Sequence, residues 1–375
     1  MKTRPSSKQI IIYGGGMAGA MLAKALSAHW RVTLVDGNDY FEVPMAAPRS
    51  LVTPQFAEQS IIPFAQALPK ASLVRGTLVE FDGTSGLVKL HDGKQMRLQG
   101  DVTVLATGSS FSNPLMRASD STSSERKAFY ASFKERIAKA SRILIVGGGP
   151  IGVEVAGEIT DSYTDKAITI LEGGPRLLAG TSESAARHAA SILTSRGVNI
   201  IYNVRLERAG SPPSEALGPA GEAITTSGRA LAYDLILWCI GGRPNTAYLK
   251  AKRPDVLNSA GRIQVTPQLR VKGMTNVFAL GDITDLDENK MAWHITAQVK
   301  NAAFNIDQVL NSRVEDTDLK EHKPQTGNPM MAVSIGRHTG ILHLPVLGVV
   351  RTPWINRLAK AGHMLVPKYR KILVD

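Results

Sequence analysis

One cysteine in 375 residues, Cys239, excludes an internal disulfide and any pair of redox thiols. It sits in the apolar run LILWCIGG and reads as a buried structural thiol. No stretch is apolar over the roughly 18 residues that a bilayer-spanning helix needs. The opening MKTRPSSK has no apolar signal core, and Lys2 stands where N-myristoylation needs glycine. These absences point to a cytoplasmic protein that touches a membrane, if at all, peripherally and from its inner face. No metal site is expected.

What is present is ordinary in bulk and unbalanced in charge. A hydrophobic fraction of 43% with 20% charged residues suits a soluble α/β protein, and the length exceeds one typical core, so two or three domains are expected. The net charge of +12 implies either attraction to something anionic (lipid, nucleic acid or nucleotide phosphates) or a basic solvated surface. No basic helix or aromatic-interleaved patch accompanies it, so nucleic acid is disfavoured.

Residues 142–158, RILIVGGGPIGVEVAGE, run an apolar strand straight into Gly147, Gly149 and Gly152 and then into a helix. Glycines let the backbone turn tightly against a pyrophosphate, and the helix N-terminus offers free amides and a positive dipole end. The same device occurs at residues 10–23, IIIYGGGMAGAMLA, with Gly14, Gly16 and Gly19. Two dinucleotide sites in one chain imply that one nucleotide passes electrons to another. After the first device the strand RVTLVD ends in Asp36, 22 positions beyond Gly14, a spacing that suits a ribose diol. After the second, AITILE ends in Glu172, 25 positions beyond Gly147. A carboxylate there bonds a free 2′-hydroxyl and repels a 2′-phosphate, favouring NADH over NADPH, with Arg176 near enough to blur the preference.

The stretch 39–54, DYFEVPMAAPRSLVTP, has no clear period and reads as irregular backbone around a cofactor. Arg49 in it either pairs with phosphates or forms a surface salt bridge. Residues 71–105 read as a meander of antiparallel strands with turns at Asp82-Gly83 and Asp92-Gly93. The closing strand VTVLATG brings Ala106, Thr107 and Gly108 to a sheet edge, where small residues admit a flat ligand. SDSTSSERK (119–127) reads as a crossing between domains, 182–197 as an amphipathic helix, and 211–222 as a hairpin or loop. The chain returns to the first domain at Arg243, Pro244 and Asn245. NVFALGD ends in Gly281-Asp282, a site for a cofactor's sugar-like hydroxyls or a cap, and 290–310 reads as a long helix. The end of the chain combines strand-like segments with a basic tail.

Together these motifs resemble the two-dinucleotide-binding-domain flavoproteins. The narrower match, carried by DYFEVPMAAPR, GGGPIGVEVAGEI and KMAWHITAQVKNAAFNI, is to the apoptosis-inducing-factor-like and ferroptosis-suppressor-protein subgroup, relatives of type II NADH dehydrogenases. The resemblance implies an α/β fold of two Rossmann-like domains of the glutathione-reductase-like kind plus a small C-terminal α+β segment. The expected boundaries are 1–117 with 245–325 for FAD, 118–244 for NAD(P)H, and 326–375 for the tail. It implies FAD on Gly14, Gly16, Gly19, Asp36, Thr107 and Asp282, and NADH or NADPH on Gly147, Gly149, Gly152 and Glu172. It also implies a quinone-like acceptor reduced at or near a membrane.

In that setting Glu154 is expected beside flavin and nicotinamide, orienting the amide or relaying a proton; its plain alternative is a first-turn acid favoured by the helix dipole. Lys290 either adds charge near the flavin or is solvated. Trp293 and His294 are candidates for lining an acceptor pocket, with His294 a proton donor or simply structural. The tail residues Trp354, Leu358, Met364 and Leu365 lie either in a membrane interface or in a packed subdomain or homodimer surface. A ferredoxin or rubredoxin reductase, or a flavin-bearing interaction protein, are the competing readings.

Overall fold

The computed structural model describes residues 7–110, 115–118, 120–207, 217–218, 220–311, 318–326, 330–344 and 348–375. Two sheets organise it. The larger has seven strands in the order Val277–Ala279, Val102–Leu105, Gln9–Tyr13, Arg31–Asp36, Ser72–Phe81, Ser85–Leu90, Gln95–Gln99. The first five run parallel and the last two are antiparallel. The smaller orders Asn199–Ile201, Ala167–Leu171, Arg142–Val146, Leu235–Trp238 and Leu217–Gly218, with only the last antiparallel. Ile10, Ile11 and Ile12 are fully buried, as are Ile145 and Ile170. Covered on both faces, such strands read as unbroken apolar runs.

Each sheet feeds a glycine turn of one design. Gly14 and Gly147 have φ of +102° and +108°, a region closed to ordinary L-residues. A methyl group on Gly19 would lie 1.8 Å from the Gly14 carbonyl oxygen, and one on Gly152 would lie 1.9 Å from that of Gly147. Helices Met17–Leu26 and Pro150–Ser162 follow.

Several sequence expectations are corrected. Val102–Leu105 is not part of the meander and not at a sheet edge: it crosses over to lie between Gln9–Tyr13 and Val277–Ala279. Its four buried residues, three of them apolar, suit that interior position. Ala106–Gly108 therefore stand at the carboxyl rim of the sheet, which is where ligands of parallel sheets bind. The supposed crossing at 119–127 contains the start of a 17-residue helix, Ser123–Lys139. Thr122 and Glu125 form a reciprocal capping box there. Residues 211–216 of the expected loop, Ser119, and residues 1–6 lie outside the described residues; Gly221–Ile224 pairs with Ala230–Tyr233 as a hairpin.

The chain leaves and re-enters the larger sheet side by side. Ser109–Ser110 pairs antiparallel with Arg243–Pro244, and the Asn245 amide donates to the Gly108 carbonyl at 2.9 Å. The C-terminal part begins as a three-stranded sheet, Met331–Ile335, Thr339–Leu344 and Gly348–Val350. It lies against helix Pro150–Ser162 at Gly157, where an added methyl would sit 2.7 Å from Ile335 Cα. A π-helical turn, Arg357–Ala361, and the helix Val366–Leu373 complete the chain. Val366, Tyr369 and Leu373 pack into the core around Met17–Leu26. The tail is thus a packed subdomain: Met364 is fully buried, and among its described large apolar side chains only Trp354 and Leu358 are widely exposed.

Gly157→Val should force helix and strand apart and cost about 1–3 kcal/mol. Thermal unfolding followed by circular dichroism checks this, with Gly180→Ala, whose Cβ meets nothing within 4 Å, expected to melt like the parent.

Candidate functional site

The first glycine turn opens into a groove lined by Gly14, Asp36, Thr77, Thr107, Ser109 and Arg117. Gly16 precedes helix Met17–Leu26 with no side-chain cap, so the first helical amides face that groove. Unfilled amides and glycines that admit no Cβ fit a pyrophosphate. Asp36, at the end of its strand, accepts from the Gly15 amide at 2.6 Å, the Asn38 amide at 2.9 Å and Arg117 Nη2 at 2.6 Å. Thr107 Oγ1 donates to the Asn245 carbonyl at 2.7 Å, which ties the ATG rim to the returning chain.

Gly281, at φ +82°, starts the turn that carries Asp282 to the same rim. Ser109 Oγ donates to Asp282 Oδ2 at 2.9 Å, and Arg262 donates to the Asp282 carbonyl. Burial pushes the Asp282 carboxyl above the usual range, opposed by the Ser109 bond and the charges of Lys290 and Arg262. Lys290 Nζ donates to the Leu286 carbonyl at 2.9 Å. Burial and the Arg262 charge pull that ammonium down, against Glu288, Asp282 and Asp285.

The long helix spans Ala292–Asn311, starting two residues and ending one residue later than the sequence suggests. His294 does not line an open cleft. It is 6% exposed, with Nδ1 at 3.4 Å from Glu288 Oε2. Glu288 also takes Gln298 Nε2 at 2.6 Å and lies 3.0 Å from His322 Nε2. Burial pushes the Glu288 carboxyl up, but the bonds from His322 and Gln298, with both imidazoles, hold it below its ordinary range. Gln298 Oε1 in turn accepts the Gly281 amide at 2.7 Å. The network braces the turn that presents Asp282. Trp293, by contrast, is 45% exposed.

The second turn repeats the first. Gly149 precedes the helix, Pro150 occupies its first position, and a Cβ on Gly149 would meet nothing within 4 Å. Glu172 accepts the Gly148 and Gly174 amides, both at 2.7 Å. Arg176 donates to the Ala179 carbonyl rather than to Glu172. Cys239 lies directly behind the turn, its carbonyl 2.8 Å from where a Gly147 Cβ would be. Burial pushes its thiol up to about 12.

Glu154 and Glu158 lie one turn apart on helix Pro150–Ser162, both buried. Glu154 Oε1 accepts the Ser334 amide at 2.9 Å, Ser334 Oγ at 3.1 Å and Lys360 Nζ at 2.5 Å. Ser334 and Lys360 were not legible from the sequence, because nothing marks one lysine of a basic tail as inward-facing. Arg49 is also placed differently from its phosphate-pairing expectation. Its Nε and Nη2 hold both oxygens of Glu158, at 3.1 and 2.7 Å, and its Nη1 reaches the Gly362 carbonyl. Burial pushes the Glu158 carboxyl up, opposed by that Arg49 bond. Arg117 is a further residue that the sequence did not single out. Among the described residues no group of histidine, cysteine and carboxylate side chains is arranged to hold a metal, and no helix is long and apolar enough to cross a membrane.

Two such turns at the rims of two parallel sheets define an FAD- and NAD(P)H-binding flavoprotein. The chain belongs to the pyridine nucleotide-disulphide oxidoreductase family, whose model matches residues 8–305. It is 30% identical to apoptosis-inducing factor homolog B of Dictyostelium discoideum over 381 residues, covering 96% of each chain. It is 29% identical to ferroptosis suppressor protein 1 of Taeniopygia guttata, covering 96% of this chain and 95% of that one. In fold it is similar to the sulfide:quinone oxidoreductase of Aquifex aeolicus, with a TM-score of 0.75 at 16% identity over 98% of this chain and 92% of that one. The family name notwithstanding, the only cysteine is buried behind the second turn.

A thiol so placed stays protonated and shielded through the working pH range. Native protein at pH 8 should resist alkylation that the unfolded chain accepts at once, and Cys239→Ala should keep NADH oxidation at the parent rate. Mass spectrometry of the labelled protein and a dye-reduction assay check the two halves.

Proposed function

We propose that the chain is an FAD-dependent NAD(P)H:quinone-type oxidoreductase. The carrying observation is the pair of glycine cradles combined with a single, buried thiol. With no dithiol in the chain to store electrons, a bound flavin would have to take them from the nucleotide and release them to a diffusible acceptor. That the Aquifex neighbour is a sulfide:quinone oxidoreductase supports a quinone as that acceptor, as does the subgroup resemblance. Bound flavin supplies hydride acceptance and electron release; position and electrostatics come from the chain.

In this reading Gly14, Gly16 and Gly19 seat the FAD pyrophosphate, Asp36 a ribose, Ala106–Gly108 the flat ring system, and Gly281-Asp282 the ribityl hydroxyls. Gly147, Gly149 and Gly152 seat the second pyrophosphate, and Glu172 prefers NADH. Glu154 and Lys360 form the working pair: the carboxylate orients the nicotinamide side and the ammonium offers a proton to the reduced acceptor. Lys290 adds positive charge beside Asp282, and His294 acts through Glu288 as a brace rather than as a donor. Arg49 holds Glu158 and the tail in place.

The purified protein should show a flavin spectrum and oxidise NADH fastest with a water-soluble quinone, more slowly with ferricyanide or oxygen. Glu154→Gln should lower kcat with quinone by about 10²-fold, the scale of a lost acid–base group, with flavin still bound. Full turnover in that variant sinks the role of Glu154. The basic charge favours a second reading, a reductase of an acidic iron–sulfur carrier. Turnover with ferredoxin that exceeds quinone turnover and falls steeply with salt would establish it instead.

Trp354 and Leu358 are 64% and 65% exposed, four residues apart, with exposed Arg351 and Arg357 beside them. We propose that this tip contacts the headgroups of an anionic membrane, which fits an apolar acceptor. Wild-type protein should sediment with anionic vesicles and Trp354→Glu/Leu358→Glu should not. Equal sedimentation rejects the contact. Shortening the chain would be a poorer test, since Val366–Leu373 is part of the core.

A further inference from the structure

The two cradles share one bonding pattern and differ in whether a cation joins it. In each, the carboxylate that ends the second strand accepts the amide of the middle glycine and the amide two residues beyond itself. These are Gly15 and Asn38 for Asp36, and Gly148 and Gly174 for Glu172. Asp36 has a third partner, Arg117 Nη2 at 2.6 Å. Among the described residues no cation is bonded to Glu172.

Arg117 also stands over the turn itself. A methyl group on Gly16 would lie 2.9 Å from Arg117 Nη1. A guanidinium at the positive end of a helix is repelled by the dipole. Asp36 offsets part of that repulsion. A diphosphate lodged between the uncapped amides and the guanidinium satisfies both. The Arg117 side chain is 37% exposed and lines the groove, so one edge remains open to such a group. Its segment is pinned to the Asp36 loop: Asn38 Nδ2 donates to the Ala118 carbonyl at 3.0 Å, and the Ser121 amide donates to Asn38 Oδ1 at 2.9 Å.

We propose that Arg117 is the diphosphate ligand of the first cradle. It makes that cradle keep its dinucleotide, whereas the second, without a counterpart, lets its dinucleotide exchange. The proposal rests on FAD as the ligand of the first cradle. The chain needs this asymmetry, because one nucleotide must remain bound while the other enters and leaves at every turnover.

The test uses apoprotein of the parent, Arg117→Ala and Arg117→Lys, each checked by thermal melting without ligand. FAD affinity is read from flavin fluorescence, with ADP and adenosine as competitors, and NADH affinity by calorimetry. Arg117→Ala should weaken FAD and ADP by about tenfold or more, the scale of a lost charge-assisted hydrogen bond pair. The salt dependence of FAD binding should become shallower, while adenosine and NADH bind as before and Arg117→Lys recovers part of the loss. Unchanged FAD and ADP affinities overturn the proposal. So does an equal loss for adenosine, because Arg117 would then only hold Asp36. If the parent takes no FAD at all, the flavin reading fails. The role of Arg117 is then decided by ADP calorimetry, where the alanine variant must weaken one of two sites.

Discussion

Two carboxylates buried one turn apart on a single helix are the constraint around which the molecule closes. Removing a charge from water costs several kcal/mol unless a partner and further hydrogen bonds replace the lost solvation. Helix Pro150–Ser162 carries two such groups, and neither finds its cation nearby in sequence. Glu158 is met by Arg49 and Glu154 by Lys360. The first partner comes from the loops of the larger sheet, the second from the tail. Arg49 also reaches Gly362, two residues past Lys360, so the two pairs share a support. A pair of ion contacts therefore joins three parts of the chain that are far apart in sequence.

Much of the frame is legible in the amino-acid sequence. The glycine turns declared themselves because the required φ and the clash at Gly19 and Gly152 leave no other residue type. The strands behind them are apolar without alternation, as doubly covered strands must be. The ends of the second strands were readable too, since Asp36 and Glu172 fall 22 and 25 positions beyond Gly14 and Gly147. What failed was topology and side-chain direction. VTVL has the composition of any buried strand, and nothing in it says that it skips the meander to lie beside Gln9–Tyr13. TSSE reads as polar linker although its spacing is a capping box.

The site residues divide in the same way. Those defined by backbone geometry stand at the two turns that open helices Met17–Leu26 and Pro150–Ser162. Arg49, His294 and Lys360 depend on which of many partners a long side chain meets, and that is settled only by packing. His294 illustrates the limit: a histidine near a helix start reads as a donor facing a cleft, yet it is buried against Glu288, which Gln298 and His322 also bind. Its contribution passes through Gln298 to the Gly281 amide, so a side chain chosen for acid–base chemistry turns out to act through backbone position.

The paired exit and return at Ser109–Ser110 and Arg243–Pro244 have a consequence for how the molecule is assembled. A segment whose two ends meet in a ribbon is an insertion, and nothing at that ribbon prevents the larger sheet from forming around a simple short loop. The tail alters this. Once Lys360 and the strand Met331–Ile335 are seated on the inserted helix, the two units are latched by residues that follow both in sequence. The order of synthesis then matters: the latch closes after both glycine turns exist, and it is what holds the two turns in their mutual position.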